Sequence, residues 1–155
     1  MSGELENFLG PELVSLYRDG ERLLVSASGG FSDYSFVVFP FAKVYEGFLK
    51  KFFFKIGAIS EQQYANERWR VGRALNPQLE KDLRHEESVY DRMVEHCQTP
   101  EEGIRLADLL WNAWKRGRNQ VFHFFPGRSK ALTFAEAQDI VQEIERAMER
   151  AMETD

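Results

Sequence analysis

The segment over residues 34–56 is the feature that most restricts how this chain can fold. It is crowded with aromatic and aliphatic side chains, and aromatic residues make up 14% of the whole chain. Polar side chains recur within it at the three- and four-residue spacings of one helical face: Lys43, Glu46, Lys50 and Lys51. The pattern predicts a long, bulky apolar helix that is entered from Ser32 or Asp33 as N-cap and bends at Pro40.

Local start signals predict four further helices. Two of them are a capping box and an N-cap followed by proline: Thr133 with Glu136, and Thr99 with Pro100 and Glu102. The third signal, Ser60 with Gln63, begins a helix that we expect to end near residue 75. The fourth, Asn76 with Pro77, begins one that we expect to end near residue 97. Residues 13–28 fit a short helix and a strand, or a hairpin that turns at Asp19–Gly20. The sequence therefore predicts an all-α bundle of about five helices, with a short irregular or β segment near the N-terminus.

Length and composition exclude several classes of protein. At 155 residues the chain is long enough for one domain with a sizeable core and too short for two. Charged residues interrupt the richest apolar stretch, so no run reaches the roughly 18 residues that span a bilayer. The acidic start MSGELENFLGPEL lacks the basic and apolar parts of a signal peptide, and we expect a cytoplasmic protein. A lone Cys97 and three histidines favour a mechanism without a metal or cofactor.

The charge of the chain is unevenly distributed. Its net charge of −5 does not by itself indicate a nucleic-acid-binding protein. Residues 115–132, however, contain no Asp or Glu and carry five basic side chains: Lys115, Arg116, Arg118, Arg128 and Lys130. Such a window can bind phosphate, or it can be a solvated loop that balances the acidic helix after it.

The sequence RNQVFH, residues 118–123, lies inside this basic window. An Arg followed four to six residues later by His is expected about 0.75 times by chance in a chain of this composition. Requiring an Asn directly after the Arg and a four-residue gap lowers that expectation to about 0.01. We expect Gly117 to end the preceding helix, so that the motif lies at a bend or at a new helix start.

The motif holds the residue types that metal-independent RNA cleavage needs. Attack of a 2′-hydroxyl on its phosphate requires a base, an acid for the departing oxygen and positive charge on the phosphate. Histidine suits one of the two proton transfers, and the planar, permanently charged guanidinium suits the phosphate. Because one imidazole does not easily perform both transfers, we expect a symmetric dimer that supplies a second. A structural arginine and an ordinarily hydrogen-bonded histidine would give the same pattern.

The order of elements resembles a HEPN domain, an all-helical family of metal-independent RNases and nucleotide-binding modules. The likeness covers residues 31–152 of a single domain, 1–155, and includes YEGFLKK in the aromatic helix and LLWNAWKRG before RNQVFH. The family signature of Arg, a polar residue and His is matched by Arg118, Asn119 and His123. Within the family, the chain is most similar to the C-terminal domain of RnlA-type RNase toxins.

The resemblance implies a homodimer in which Arg118 and His123 of both copies face one cleft, and cleavage that leaves a 2′,3′-cyclic phosphate. Glu46 would orient Arg118 or His123, or it would instead pair with Lys50 on the surface. Asp33 matches the family's earlier acidic position, but it lies about 20 Å upstream of Glu46 along a helix. Its alternative role is that of an N-cap.

Other polar residues are expected to contact RNA phosphates: Asn119, Lys43, Arg116, Arg128 and Lys130. Lys43 lies one turn before Glu46, and its alternative role is that of an ordinary solvated surface residue. RnlA-type toxins carry additional N-terminal domains that this sequence lacks, so substrate positioning or regulation should differ. In another HEPN branch, a Tyr two residues after the His receives AMP. Phe125 stands at that position here, so this control is not expected.

We therefore expect a small dimeric endoribonuclease that acts as a toxin or defence component and is restrained by an antitoxin protein. The alternative is a non-catalytic HEPN module that binds a nucleotide or a partner protein through the same cleft. A helical dimerisation domain without any site is the third interpretation.

Overall fold

The computed structural model describes residues 1–27, 29–80, 82, 88–123, 126 and 131–154. Their regular secondary structure is helical and contains no strand, which confirms the predicted all-α class. The elements in chain order are α1 (Gly3–Ser26), α2 (Ser35–Lys55), α3 (Glu61–Ala65), α4 (Val71–Ala74), α5 (Val89–His96), α6 (Pro100–Trp114), a π-helical turn (Lys115–Asn119), α7 (Gln120–Phe122) and α8 (Phe134–Met152). Within this part of the chain, no helix is both long and apolar enough to cross a bilayer.

Helix α2 lies at the centre of the structure, close to the bounds that the sequence predicts. Its buried side chains are Val37, Val38, Phe41, Ala42, Val44, Tyr45, Phe48, Leu49, Phe52 and Phe53. They are covered by α1, α8, α4 and the π-helical turn. One stripe along the helix stays exposed or half-buried, and we call it the α2 stripe: Phe36, Phe39, Lys43, Glu46, Lys50 and Phe54. A helix apolar around most of its circumference must be enclosed in this way.

Helix α1 replaces the irregular or β segment expected near the N-terminus, and that expectation was wrong. Asp19–Gly20 is not a hairpin turn, because Gly20 is helical and a Cβ on it would lie 2.7 Å from the ring of Phe41. The helix is broken only at Gly10, where φ is 77°, just before Pro11. The break frees carbonyl groups of the first segment, and Lys51 of α2 donates to two of them at 2.9 and 2.7 Å, those of Phe8 and Leu9.

Three of the predicted helix starts are confirmed. The Thr133 hydroxyl accepts the N–H of Glu136 at 3.2 Å, and the Glu136 carboxylate accepts the N–H of Thr133 at 2.9 Å. Ser60 and Gln63 form the same reciprocal pair at the start of α3. Thr99 caps α6 and is followed by proline at the first helical position. These signals are reliable because each involves residues at most three positions apart.

The helices predicted between residues 60 and 97 are shorter than expected. The first ends at Ala65, because the Asn66 side chain accepts the N–H of Arg68 at 2.8 Å and holds the chain in a turn. Asn76 forms the same turn with Gln78 at 2.9 Å, so residues 77–80 are not helical and the predicted start at Asn76–Pro77 was wrong. Residue 82 is helical, and residues 81 and 83–87 lie outside the described part of the chain. Helix α5 begins after Ser88, whose hydroxyl accepts the N–H of Asp91.

Helices α5 and α6 pack closely at Gly103, and this contact is testable. A Cβ there would lie 2.5 Å from Cα and 2.7 Å from the carbonyl oxygen of Val94, and backbone atoms cannot easily move away. We expect Gly103→Ala to lower the free energy of unfolding by about 1–3 kcal/mol despite alanine's higher helix propensity. Chemical denaturation measures the change. Gly3→Ala is the control, since nothing lies within 4 Å of that Cβ; equal stability of the two variants would contradict the packing.

Candidate functional site

The RNQVFH segment begins in the π-helical turn and continues through α7, in a region where the chain was expected to break. The N–H of Gln120 donates to the carbonyl of Lys115, five residues back, and helical backbone continues to Phe122. Gly117 is buried, and a Cβ on it would lie 2.7 Å from Cδ1 of Ile144. This glycine therefore lets the turn approach α8 and does not end a helix, so the predicted break was wrong. Single π-helical turns of this kind are frequent at functional sites.

The structure brings Arg118 and Glu46 together across the α2 stripe. Nε and Nη2 of Arg118 each lie 3.2 Å from Oε2 of Glu46. The side chains are 37% and 31% exposed, so the pair is reachable from solvent. Glu46 engages two of the three guanidinium nitrogens and thereby fixes the orientation of the planar group.

Trp114 supports the other side of the same guanidinium. The Arg118 Cζ lies 5.2 Å from the centre of the Trp114 ring, in the range of a cation–π contact. The indole is buried, and its Nε1 has no hydrogen-bond partner among the described residues. It packs against α4 at Gly72, where a Cβ would lie 2.4 Å from Nε1. The absence of a side chain at Gly72 therefore gives the indole its place under Arg118.

Arg116 and Arg118 contact different helices, although both were predicted to bind RNA. Arg116 pairs with Glu143 of α8. Asn119, the last residue of the π-helical turn, is half-buried. The two arginines thus act in opposite directions, one towards α8 and one towards α2.

His123 follows α7 directly, at the point where helical backbone ends. Its φ and ψ are −112° and 130°, and the residue is exposed. Just before it, Phe122 contacts Phe39 of the α2 stripe edge to face, with ring centres 5.5 Å apart. Lys43, one turn beyond Phe39 on the same stripe, is exposed. The motif and the α2 stripe therefore form one continuous surface.

Asp33 contacts the start of α2. Its carboxylate accepts the N–H of Ser35 at 2.9 Å, the hydroxyl of Ser35 at 2.7 Å and the N–H of Leu132 at 3.1 Å. Burial by itself would raise the pKa of Asp33, but these hydrogen bonds together hold that pKa below its ordinary value. The N-cap of α2 is Tyr34, which makes no side-chain capping bond, so the predicted N-cap at Ser32 or Asp33 was wrong. The Asp33 carboxylate instead accepts from the first helical residue and joins the entrance of α8 to the entrance of α2.

Three residues that the sequence singles out lie outside the described residues: Arg128, Lys130 and Phe125. Among the residues that are described, no group of three or more His, Cys, Asp or Glu side chains could hold a metal ion. Sequence reasoning missed Trp114, Gly72, Phe39 and Phe122. Only Trp114 had a usable signal, because it lies four residues before Arg118 and so on the same helical face.

Comparison of the chain with protein-family models, curated proteins and solved structures finds no match.

The hydrogen bonds that Asp33 accepts give a pH-dependent prediction. Asp33→Ala should lower the free energy of unfolding by about 1 kcal/mol at pH 7, because two backbone N–H groups lose their acceptor. The pKa of Asp33 is lowered in the folded protein, so its stabilisation is complete above the ordinary carboxyl value of 3.8 and is lost as pH falls through the folded value. Urea denaturation at pH 7, 5 and 3 should show a difference that is constant at first and then shrinks.

Asp139→Ala, at an exposed position of α8, is the matched control and should have little effect at any of these pH values. A difference between wild type and Asp33→Ala that is absent at pH 7, or that grows at pH 3, would contradict this stabilising role of Asp33.

Proposed function

We propose that this protein is a metal-independent endoribonuclease of the HEPN type. The observation that carries the proposal is the Arg118 guanidinium, held between Glu46 and Trp114 at a solvent-reachable surface, five residues before an exposed His123. The 2′-oxygen of the RNA forms a bond to phosphorus while the bond from phosphorus to the 5′-oxygen breaks. One proton leaves the 2′-hydroxyl, one is delivered to the 5′-oxygen, and a 2′,3′-cyclic phosphate results.

Arg118 binds the phosphate as its negative charge grows during this reaction. A guanidinium already oriented by its neighbours needs little rearrangement, and preorganised charge of this kind supplies much of the rate enhancement in many enzymes. The pair with Glu46 is partly exposed, so it contributes only about 0–1 kcal/mol to folding. Its value in this proposal is the orientation of the Arg118 guanidinium.

His123 performs one of the two proton transfers, and the same residue of a second copy performs the other. A symmetric homodimer is therefore part of the proposal, with both motifs facing one cleft. Lys43 and Asn119 contact neighbouring phosphates. Arg116 joins them only when its pair with Glu143 opens.

The proposal also includes the role of the protein in the cell. The resemblance to RnlA-type toxins supports a cytoplasmic toxin or defence component, inhibited by an antitoxin protein. Arg128 and Lys130 stay predictions from the basic window.

The nuclease proposal predicts cleavage of labelled single-stranded RNA by the purified protein in the presence of EDTA. Arg118→Ala should lower the cleavage rate about 100- to 1,000-fold, because it removes charge stabilisation in the transition state. His123→Ala should lower it about 100- to 10,000-fold through the lost proton transfer. His96→Ala, which changes an exposed histidine at the end of α5, is the control and should cleave like wild type.

Cleavage that survives in both site variants would reveal a contaminating nuclease and remove the proposal. Tight nucleotide binding without cleavage would select the non-catalytic module. Sedimentation at micromolar concentration should show twice the 18.1 kDa chain mass, and a monomer alone would contradict the shared cleft.

A separate prediction tests the orienting role of Glu46. Glu46→Gln keeps the shape of the side chain but removes the charge that holds Arg118. The cleavage rate should fall about 10-fold or more while the free energy of unfolding changes by less than about 1 kcal/mol. Glu153→Gln breaks a comparable exposed pair with Arg150 on α8 and should leave cleavage unchanged. Equal cleavage by wild type and Glu46→Gln would assign Glu46 no role in the reaction.

A further inference from the structure

Four exposed phenylalanines lie together at the first end of α2, and we call them the aromatic shelf: Phe31, Phe36, Phe39 and Phe122. Their exposed fractions are 56%, 38%, 51% and 38%. Phe31 and Phe36 meet edge to face with ring centres 4.9 Å apart, and Phe39 and Phe122 do so at 5.5 Å. Single exposed apolar residues need no explanation, but a contiguous group of large ones marks a surface that binds something.

The arrangement of the rings leaves flat surface available. Phe36 and Phe39 are three residues apart and lie on the same stripe of α2. In an edge-to-face pair, the edge of one ring covers a face of the other, so the two rings do not shield each other as they would in a stack. One face of Phe36 is stacked on Tyr34, with ring centres 6.0 Å apart, so the open faces of the shelf lie mainly at Phe31, Phe39 and Phe122. The shelf can therefore accept further flat groups.

Positive charge continues from the shelf along the same stripe. Lys43 is exposed one turn beyond Phe39, and Arg118 reaches the stripe at Glu46, about 10 Å from Phe39 along the helix. Lys43, Lys50 and Arg118 outnumber the acids of this surface, which are Glu46 on the stripe and the exposed Asp33 at the shelf. Flat apolar rings beside a line of cations are the combination that binds single-stranded nucleic acid, in which bases stack and phosphates meet positive charge.

We propose that the aromatic shelf stacks unpaired bases of a single-stranded RNA whose backbone runs past Lys43 to Arg118. This inference rests on the proposed function for the Arg118 site and names its substrate as single-stranded. Bases inside a duplex are stacked on each other and cannot reach the rings. Stacking is insensitive to base identity, so the shelf positions the strand without reading a sequence.

The test measures binding without cleavage. A fluorescein-labelled deoxyoligonucleotide of 12 nucleotides, without self-complementarity, lacks the attacking 2′-hydroxyl, and its binding is followed by fluorescence anisotropy. Phe39→Leu and Phe122→Leu keep apolar side chains but remove the rings, and each should weaken binding about 5- to 150-fold. Phe39→Tyr keeps a ring and should bind like wild type. The same sequence as a duplex should bind more weakly than the single strand.

Phe54→Leu is the matched control. Phe54 is 43% exposed at the other end of the α2 stripe, where it stacks on Tyr64 with ring centres 4.9 Å apart. Its replacement should leave oligonucleotide binding unchanged. Equal loss in Phe54→Leu and Phe39→Leu would show a general effect of apolar surface and overturn the assignment of the shelf.

The remaining outcomes separate this inference from the nuclease proposal. Weaker binding in Phe39→Leu, together with a wild-type protein that does not cut RNA, keeps the shelf and removes the enzyme. RNA cleavage by wild type with unchanged binding in Phe39→Leu and Phe122→Leu keeps the enzyme and removes the shelf. If the wild-type protein does not bind the oligonucleotide, the proposed role of the shelf is overturned. It is also overturned if Phe39→Leu changes the dimer to a monomer and leaves binding unchanged, because the shelf would then be a contact between two copies.

Discussion

A helix that is apolar around most of its circumference is stable in water only when other elements enclose it, and α2 imposes this requirement on the whole chain. Helix α1 covers one side and α8 another, while α4 and the π-helical turn close the rest. Polar groups that become buried around α2 also need hydrogen-bond partners. The buried Tyr45 hydroxyl has one, because it donates to the carbonyl of Leu110 at 2.9 Å. Because so little of α2 faces solvent, its exposed side chains lie along one narrow stripe.

The π-helical turn is the element that joins this core to the candidate site. It continues α6 without a break and approaches α8 at Gly117, and Arg116 is held there by Glu143. Because one side of the turn is held by α8, Arg118 is directed to the opposite side, towards Glu46. The ion pair contributes little to folding, and the helices around it fix its position. Packing therefore determines the geometry of the site, and the charges follow.

Helix starts could be predicted where the signal is local, as with Thr133 and Glu136. Helix α1 could not, because the Gly10–Pro11 break obscures its periodicity and the bonds that repair the break come from Lys51, in another helix. The turns at Asn66 and Asn76 were missed for a related reason: a side chain that competes with helix hydrogen bonds is visible in the sequence, but the outcome of the competition is not.

The candidate site, too, could be predicted from the sequence only in part. The RNQVFH motif singled out Arg118 and His123, and the resemblance to a known family pointed to Glu46. No pattern in the sequence indicated that Phe39 would meet Phe122, because that contact depends on how α7 lies along α2. Contacts between elements far apart in the chain are set by packing, which a single sequence does not display.

The negative net charge of the chain opposes the binding of a nucleic acid to the exposed rings. A protein with a net charge of −5 repels a polyanion at long range, and salt screens that repulsion beyond about 10 Å. Only the charges close to a bound strand then matter, and on the α2 stripe these are mostly cationic. Rings that stack bases add binding energy that does not depend on charge. The net charge of the chain is therefore compatible with the proposed binding of RNA, because cations and exposed phenylalanines lie next to each other along the open stripe of α2.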